Sequence, residues 1–569
     1  MARLSSTPRA SDRPVFALLR AMAVLVGIGF ILIALSYSGY LSYTELEPPE
    51  VEVTAHDFVV EPTGRRLRYG RSWLDRDGQL WRLHLEGAPT ELGDARGRLT
   101  ERLFHQLDER VRDLVERRYG AWLEQWTAAM VLRWDYRGAD RFLDPEHRDE
   151  LAAMALALPQ PEDDRLDSYH RLFLYQCVYG LGKRLDDVLL EGTMFAAAPK
   201  RTSSGEPGNL IVGRTLSFDL GRDFEADRIV TFYRPDGRYP FASIGWPGMM
   251  GVVTGINARG IFVALNPART NDPPEEGAPL PLVLRTVLEQ ADTLEHAVEI
   301  LREAELRGSG IVLIADGMRR TAVVMEVAAR DRENRRIVRG EDEPVVWATD
   351  HMADEAFEGD VQNDWVRRYS SSGYRQQRLE ELLSTGEPMD PTRAVAVLRD
   401  RRGMGNEELG LGNRNALENL ATTHSVVVDA TAMVMWVAEG PSTLGRYQAV
   451  DLGRSLRRAE GPPAPLDDLP PDPLLYSEEF RDYREAIAAI DHARVMLGRG
   501  MPEQARWSAQ VALALAPDLG ELHRLLGDIE RDLDNPAQAR VHYERYLELV
   551  PGRKRDQVRV KGILAELRE

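Results

Sequence analysis

The 569-residue sequence predicts an α+β body, layered from sheets and helices, carried on one transmembrane helix and followed by an all-α domain. Three observations point there. Residues 21–44 contain no charged side chain. From 193 to 455, short apolar runs alternate with turns rich in glycine and asparagine, the texture of strands interrupted by paired helices. Beyond a proline-rich stretch, one pattern recurs at a spacing of 34 residues.

The apolar part of the first stretch, residues 21–41, would be about 31 Å long as a helix, against a bilayer core of roughly 30 Å. Arg3, Arg9, Arg13 and Arg20 precede it, and Glu45, Glu47, Glu50 and Glu52 follow. Basic flanks stay in the cytoplasm. The expected topology is a basic cytoplasmic tail over 1–20, a single pass through the inner (cell) membrane over 21–41, and a periplasmic or otherwise extracytoplasmic remainder. A cleaved signal peptide is the alternative. Its apolar core is usually about 7–15 residues and ends at an Ala-x-Ala site, and neither fits here. A buried soluble helix would keep a polar face, which this segment lacks.

Composition narrows the chemistry. With 43% hydrophobic and 29% charged residues the bulk is globular, and its length calls for two to four domains. A formal net charge of -19 repels a phosphate backbone, so no nucleic-acid partner is expected. The single cysteine, Cys177, excludes an intramolecular disulfide and a thiolate metal cluster. The eleven histidines form no His-Glu-x-x-His pair, and no metal or organic cofactor is expected.

Residues 51–190 read as mainly helical. A hairpin comes first: Trp73-Leu74, a turn at Asp75-Arg76-Asp77-Gly78, then the alternation Leu80-Trp81-Arg82-Leu83-His84-Leu85. Residues 99–132 carry apolar side chains at helical spacing. Within 193–455, strands are expected at 229–233, 251–256, 261–266, 311–315, 321–327, 344–348, 425–428 and 433–437, with helices near 282–302 and 375–383. Strand groups separated by helices imply antiparallel sheets with helices on their outer faces. Residues 456–476, with Gly461-Pro462-Pro463-Ala464-Pro465, form a semi-rigid linker.

In 477–569, Met501-Pro502-x-Gln504-Ala505-Arg506 recurs as Asn535-Pro536-x-Gln538-Ala539-Arg540, and Pro517 recurs as Pro551. Helix–turn–helix units of this period, with Ala in the second helix and Pro closing it, are tetratricopeptide repeats. Such units stack to bury their faces, so 483–497 supplies an earlier helix and 558–567 a cap. The array either recruits a protein partner on a concave groove or stabilises its own chain.

The chemistry-bearing stretches fall in a fixed order. Glu191-Gly192-Thr193-Met194-Phe195 opens a small apolar strand at a Gly-Thr pair. Gly213-Arg214-Thr215-Leu216-Ser217-Phe218-Asp219 follows, then Gly255-Ile256-Asn257-Ala258-Arg259-Gly260-Ile261, Trp347-Ala348-Thr349-Asp350-His351 and Thr423-His424-Ser425. Upstream lies Glu86-Gly87-Ala88-Pro89-Thr90-Glu91-Leu92-Gly93. In order and spacing these resemble the penicillin acyltransferase-like (acyl-CoA:6-aminopenicillanate acyltransferase) family of N-terminal-nucleophile (Ntn) hydrolases, over residues 83–452. The family's usual motifs are Gly-Cys-Thr-Ser-Phe at the nucleophile, Gly-Arg-Asn-x-Asp, Gly-x-Asn-x-x-Gly-Leu and Thr-Asn-His. The resemblance implies a four-layer αββα sandwich over 193–455. It also implies a precursor that cuts itself to free an α-amine, whose pKa near 7.7–8.0 lets it act as base for its own side chain. The implied activity is an amide hydrolase or acyltransferase taking a small acyl-amide substrate.

No cysteine stands at the nucleophile, and two registers are open. One places Thr193 there and makes Gly192–Thr193 the cleavage point. The other, gapless, matches Thr193 to the family's second residue and Gly192 to the nucleophile. That leaves a dead site and a scaffold working through its repeats. The resemblance gives Arg214 the task of lowering the amine's pKa by like charge. It gives Asn257 that of holding the oxyanion, although Asn-Ala-Arg-Gly is equally ordinary hairpin-turn chemistry. Thr215 and Ser217 replace the family's Asn and Asp, unless Asp219 takes the latter role. Asp350 stands where the family has Asn and, with His351, lines a pocket in this reading. His351 and His424 also read as structural histidines, and Cys177 as a small buried hydrophobe in a helix over 169–182. Asp186-Asp187 reads as a solvated helix end.

Overall fold

An apolar run without a polar face makes the first element one long helix, α1 (Arg13–Thr44), in the computed structural model. The structure describes residues 13–61, 66–118, 121–159, 166–177, 190–203, 205, 208–218, 225–271, 276–340, 342–457, 466–550 and 554–567. Among these, Ala21–Thr44 is one helix long and apolar enough to cross a membrane, with none of its apolar window buried. A membrane span and a signal anchor both have this character. No loose joint follows it: Thr44 is fully buried, and Leu46 enters the main core.

Four strands follow, β1 (Phe58–Val60), β2 (Arg66–Tyr69), β3 (Ser72–Asp77) and β4 (Leu80–Gly87). The expected hairpin is β3–β4, but Asp75 to Asp77 are paired strand residues and the chain reverses at Gly78, whose φ of +59 favours glycine. Helices α2 (Pro89–Arg118), α3 (Trp122–Tyr136), α4 (Pro145–Ala157) and α5 (Ser168–Gln176) complete this part. Next come β5 (Leu190–Ala197), β6 (Ile211–Phe218), β7 (Ile229–Pro235), β8 (Phe241–Gly245), β9 (Thr254–Asn257) and β10 (Ile261–Pro267). The pair α6 (Leu280–Gln290) and α7 (Leu294–Glu303) precedes β11 (Gly310–Asp316), β12 (Thr321–Val327), β13 (Arg336–Arg339) and β14 (Val345–Ala348). Helices α8 (Val361–Tyr369), α9 (Ser372–Ser384) and α10 (Pro391–Leu398) lead to β15 (Thr422–Asp429), β16 (Val434–Ala438), β17 (Tyr447–Asp451) and α11 (Leu452–Arg457).

Two sheets result. The larger has the order β1-β2-β3-β4-β7-β8-β9-β10-β11-β12-β13, the smaller β14-β5-β6-β15-β16-β17. Side-chain alternation assigns their faces. Met194, Ala196, Val212 and Val426 of the small sheet share a core with Phe232, Phe262, Ala264 and Leu313 of the large one. Removing a ring such as Phe262, fully buried there, would cost about 3–5 kcal/mol. On the outer face of the small sheet, Phe195, Ala197 and Val427 pack on Leu379, Val395 and Leu398 of α9 and α10. On the outer face of the large sheet, Val263, Val312 and Val323 share a core with Leu92, Leu151, Leu288 and Leu301 of α2, α4, α6 and α7. The layers run helix, sheet, sheet, helix.

Residues 51–190 carry helices α2–α5, as expected, but their four strands were not expected to join the large sheet. β4 pairs parallel with β7, Trp81 opposite Ile229, so β1–β4 extend the large sheet and this segment belongs to the sandwich. The expected helix over 282–302 is two helices. Thr293 breaks it with extended backbone and caps the restart by accepting from His296 N at 3.2 Å. The expected strand at 251–256 begins only at Thr254, because Val252 N is spent on Pro281 O at 2.7 Å.

Residues 469–476 of the expected linker are tied down: Leu469 exchanges backbone hydrogen bonds with Tyr447 at the edge of β17. Five helices follow, α12 (Glu478–Gly498), α13 (Pro502–Leu515), α14 (Gly520–Asp532), α15 (Pro536–Leu549) and α16 (Lys554–Glu566). Short loops fold α12 on α13 and α14 on α15. Pro502 and Pro536 start their helices, and Ala505 and Ala539 are buried at matching positions. The core of Ala486, Ala509, Leu522 and Ile529 also takes in Leu420 and Leu444 from the sandwich, so the array is docked on its own chain.

Candidate active site

Strand β5 carries the Gly192-Thr193 pair, and its parity decides what each residue meets. Met194 and Ala196 face the space between the sheets, whereas Phe195 and Ala197 face α9 and α10. Gly192 therefore faces inward and Thr193 outward.

On the inner face, Gly192 lies against Asn266, at the end of β10. A methyl group built on Gly192 would overlap Asn266 Oδ1 and come within 2.9 Å of Arg214 Nη1. Asn266 Nδ2 donates to Thr349 O at 3.0 Å, while its Oδ1 is buried without a hydrogen-bond partner. Arg214, fully buried on β6, donates from Nη1 to Thr215 O and from Nη2 to Leu265 O, tying β6 to β10.

The outer face is ionic. β14 stops pairing with β5 at Ala348 opposite Met194, so beyond that point side chains take over the open edge of β5. Gly192 N donates to Asp350 Oδ1 at 2.6 Å, and Gly192 O accepts from Arg375 Nη1 at 2.8 Å. The same Nη1 donates to Thr193 Oγ1 at 3.2 Å, and Arg375 Nη2 pairs with Asp350. Ser371 Oγ donates to Glu191 Oε1 at 2.5 Å and accepts from Arg375 Nε at 3.3 Å. Asn419 Nδ2 donates to Glu191 Oε2 at 3.3 Å, and Arg414 pairs with Glu191 at 3.5 Å. Burial pushes the Asp350 carboxyl up to about 6, Arg375 pulling against it and Glu191 adding to it.

The residues expected to act together are thus divided. Thr193 is 1% exposed and sits mid-strand, paired with Thr215. Asn257 is not at the centre. Its Nδ2 donates to Leu288 O and Ala291 O at 2.9 and 2.8 Å, and its Oδ1 accepts from Arg259 N and Ile261 N. All four valences hold a turn beneath α6, and Ile261, which donates to Asn257, stands five residues before Asn266, roughly 17 Å along β10. The oxyanion role expected for Asn257 is corrected on these grounds. Arg214 and Asp350 do lie beside Gly192, on opposite faces. His351 is held neutral, burial pushing it down to about 4, with Nδ1 2.7 Å from Ser372 Oγ. His424 Nε2 lies 2.9 Å from Thr254 Oγ1. Asp219, Asp186 and Asp187 lie outside the described residues. Cys177 is buried at the end of α5, and burial pushes its thiol up.

Sequence reasoning missed Asn266, Glu191, Ser371, Arg375 and Asn419. Two signals were available. Asn266 is a polar residue closing an apolar strand, in Leu265-Asn266-Pro267. Ser370-Ser371-Ser372 marks a helix start with Arg375 one turn in, on the face of Ser371.

Residues 211–442 match the family described as acyl-coenzyme A:6-aminopenicillanic acid acyl-transferase. The match takes in Arg214, Asn266, Asp350 and Arg375 and begins after Gly192 and Thr193. An uncharacterized protein of Archaeoglobus fulgidus is 28% identical over 139 residues, covering 24% of this chain. The match spans 23% of that curated relative's length. Similar solved structures include the Caenorhabditis elegans ortholog of N-acylethanolamine-hydrolyzing acid amidase, at 18% identity, 42% of this chain, 93% of that chain and a TM-score of 0.28. A mutant of the conjugated bile acid hydrolase from Clostridium perfringens follows at 12% identity, 46% and 93% coverage and a TM-score of 0.32.

Proposed function

We propose that this chain is a catalytically silent relative of Ntn-type amidases and acyltransferases, acting as a membrane-tethered scaffold. One observation carries the reading. The position of β5 that faces between the sheets is Gly192, and Asn266 Oδ1 lies where a nucleophile's side chain would stand. Thr193 faces the other way, its hydroxyl held on the outer face by Arg375 Nη1. In this reading α1 is the tether, with residues 1–20 cytoplasmic and the sandwich and helical array outside the inner membrane. The array recruits a protein partner: Trp507 and Val541, one repeat apart, are both well exposed. A cavity of about 590 Å³ opens where array, linker and sandwich meet, lined by Arg401, Arg402, Glu408, Leu411, Leu469 and Leu474 among others. The full chain, purified in detergent, should release no amine from small acyl amides above a Thr193→Ala control. Turnover that vanishes in Thr193→Ala would overturn the proposal.

A second reading has its own observation. Arg375 Nη1 holds both Gly192 O and Thr193 Oγ1, as a self-cleaving centre needs: the hydroxyl would add to the Gly192 carbonyl while the cation stabilises the oxyanion, the Gly192–Thr193 C–N bond would break to free the Thr193 amine and leave an ester, and water would hydrolyse that ester. Thr193 would then become an N-terminal nucleophile. Residues 1–192 would stay as the anchored piece, holding the rest through packing.

A further inference from the structure

The side of α3 that the body leaves uncovered is apolar and aromatic. Trp122 and Leu123 are 68% and 61% exposed, Val131 and Trp134 48% and 46%. This patch continues a surface on α1. Trp126 lies 5.9 Å from Tyr37 between ring centroids, and Trp134 lies 6.2 Å from Tyr40 and 5.7 Å from Tyr43. Trp122 extends the row, 6.4 Å from Trp126. The packing is fixed by polar contacts. Tyr40 Oη donates to Met130 O, and buried Arg133 donates to Thr44 Oγ1 at 3.2 Å and to Leu41 O at 3.4 Å.

Trp126 sits by Tyr37, and Trp134 by Tyr40 and Tyr43, so α3 and the end of α1 run in the same direction. Trp122 and Leu123, one turn before Trp126, therefore reach about 6 Å past Tyr37 toward the middle of the apolar stretch. If α1 crosses a bilayer, this end of α3 has nowhere to be but in it.

We infer that α3 is a second membrane contact, its first turn seated at the headgroup and upper acyl level of the leaflet from which α1 emerges. The inference rests on α1 spanning the membrane. Six rings, Tyr37, Tyr40, Tyr43, Trp122, Trp126 and Trp134, then form one interfacial belt, the level that amphipathic Tyr and Trp rings prefer. Arg137, its guanidinium 4.4 Å from the Trp134 ring centroid and 5.8 Å from that of Tyr43, stands at the outer edge, where it reaches lipid phosphates. The outer boundary of the span lies at this belt, so residues 21–36, about 24 Å of helix, cross the hydrocarbon core with Arg20 at its inner edge. With Thr44 and Leu46 buried in the body, two contacts hold the sandwich at one height and orientation above the lipid.

Cys177 is the one cysteine of the sequence and is buried, so a single introduced thiol can be labelled cleanly. The full chain carrying Leu32→Cys, Leu123→Cys or Val541→Cys would be labelled with an environment-sensitive fluorophore and placed in phosphatidylcholine nanodiscs. Lipids brominated in the acyl chain should quench the probes at 32 and 123 at least two-fold, and aqueous iodide should spare both. The probe at 541 should show the reverse. Iodide quenching at 123, with lipid quenching retained at 32, would overturn the inference and leave the span intact. Protection of 123 from both quenchers would overturn it in favour of a second copy of the chain on this face. Loss of lipid quenching at 32 would overturn the span and this inference together.

Discussion

Gly192 and Thr193 are neighbours on one strand and sit in opposite chemistries. Inward, the glycine meets the amide of Asn266 and Arg214, whose Nη1 and Nη2 donate to backbone carbonyls, within a largely apolar core. Outward, the threonine joins a buried network of Arg375, Asp350, Ser371 and Glu191. The lesson is one of parity. Side chains alternate along a strand, so a shift of one residue moves a candidate nucleophile from one layer of the sandwich to the other. The hydroxyl of Thr193 is bonded to the layer that holds the strand in place, and Gly192, Met194 and Ala196, which face between the sheets, carry no hydroxyl or thiol.

Breaking the outer face should have the largest effect. Arg375→Met removes the donor to Gly192 O and Thr193 Oγ1 and strips Asp350 of its ion pair. It should destabilise the sandwich by about 3–5 kcal/mol, read from the denaturation midpoint. A loss near zero would mean that the outer network does not hold β5.

The pH profile sharpens the same face. The Asp350 carboxyl is raised to about 6 in the fold, above its unfolded value near 3.9, so folding takes up a proton between those values. Its contribution is fully present below about pH 4 and is lost as pH rises through about 6, on the order of 3 kcal/mol. Asp350→Asn should flatten that part of the profile when both chains are denatured across pH 4–7. An unchanged slope would place the titration elsewhere.

The inner face is tested by Gly192→Ala. Overlap with Asn266 Oδ1 should cost about 1–3 kcal/mol, and adding Asn266→Ser should recover part of it. A neutral Gly192→Ala would show that the space between the sheets is open to a side chain. The smallest change is expected for Thr193→Val, which keeps shape and drops one of two bonds made by Arg375 Nη1. A loss of about 1 kcal/mol in the same assay fits a structural hydroxyl.

Much of the layering was legible in the sequence because it rests on local signals. The apolar runs from Ala322 and from Ile261 placed β12 and β10, and the 34-residue repeat placed the array's helices. What escaped depends on distant pairing. β13 and β17 carry too few apolar residues for a run and exist because a neighbouring edge accepts them. The parallel pairing of β4 with β7 joins segments more than a hundred residues apart. At the site, Asn257 advertised itself through turn chemistry and is a turn residue. Asn266 gave a fainter signal, and only the fold brings it to Gly192. Arg375 lies far along the chain from the strand it holds.

The most direct measurement is the intact mass and N-terminal sequence of the full chain purified from membranes. With Gly192 in the inward position of β5 and the Thr193 hydroxyl held on the outer face by Arg375, we expect no species beginning at Thr193. A fragment that starts at Thr193, and is missing from the Thr193→Ala chain, would contradict the account.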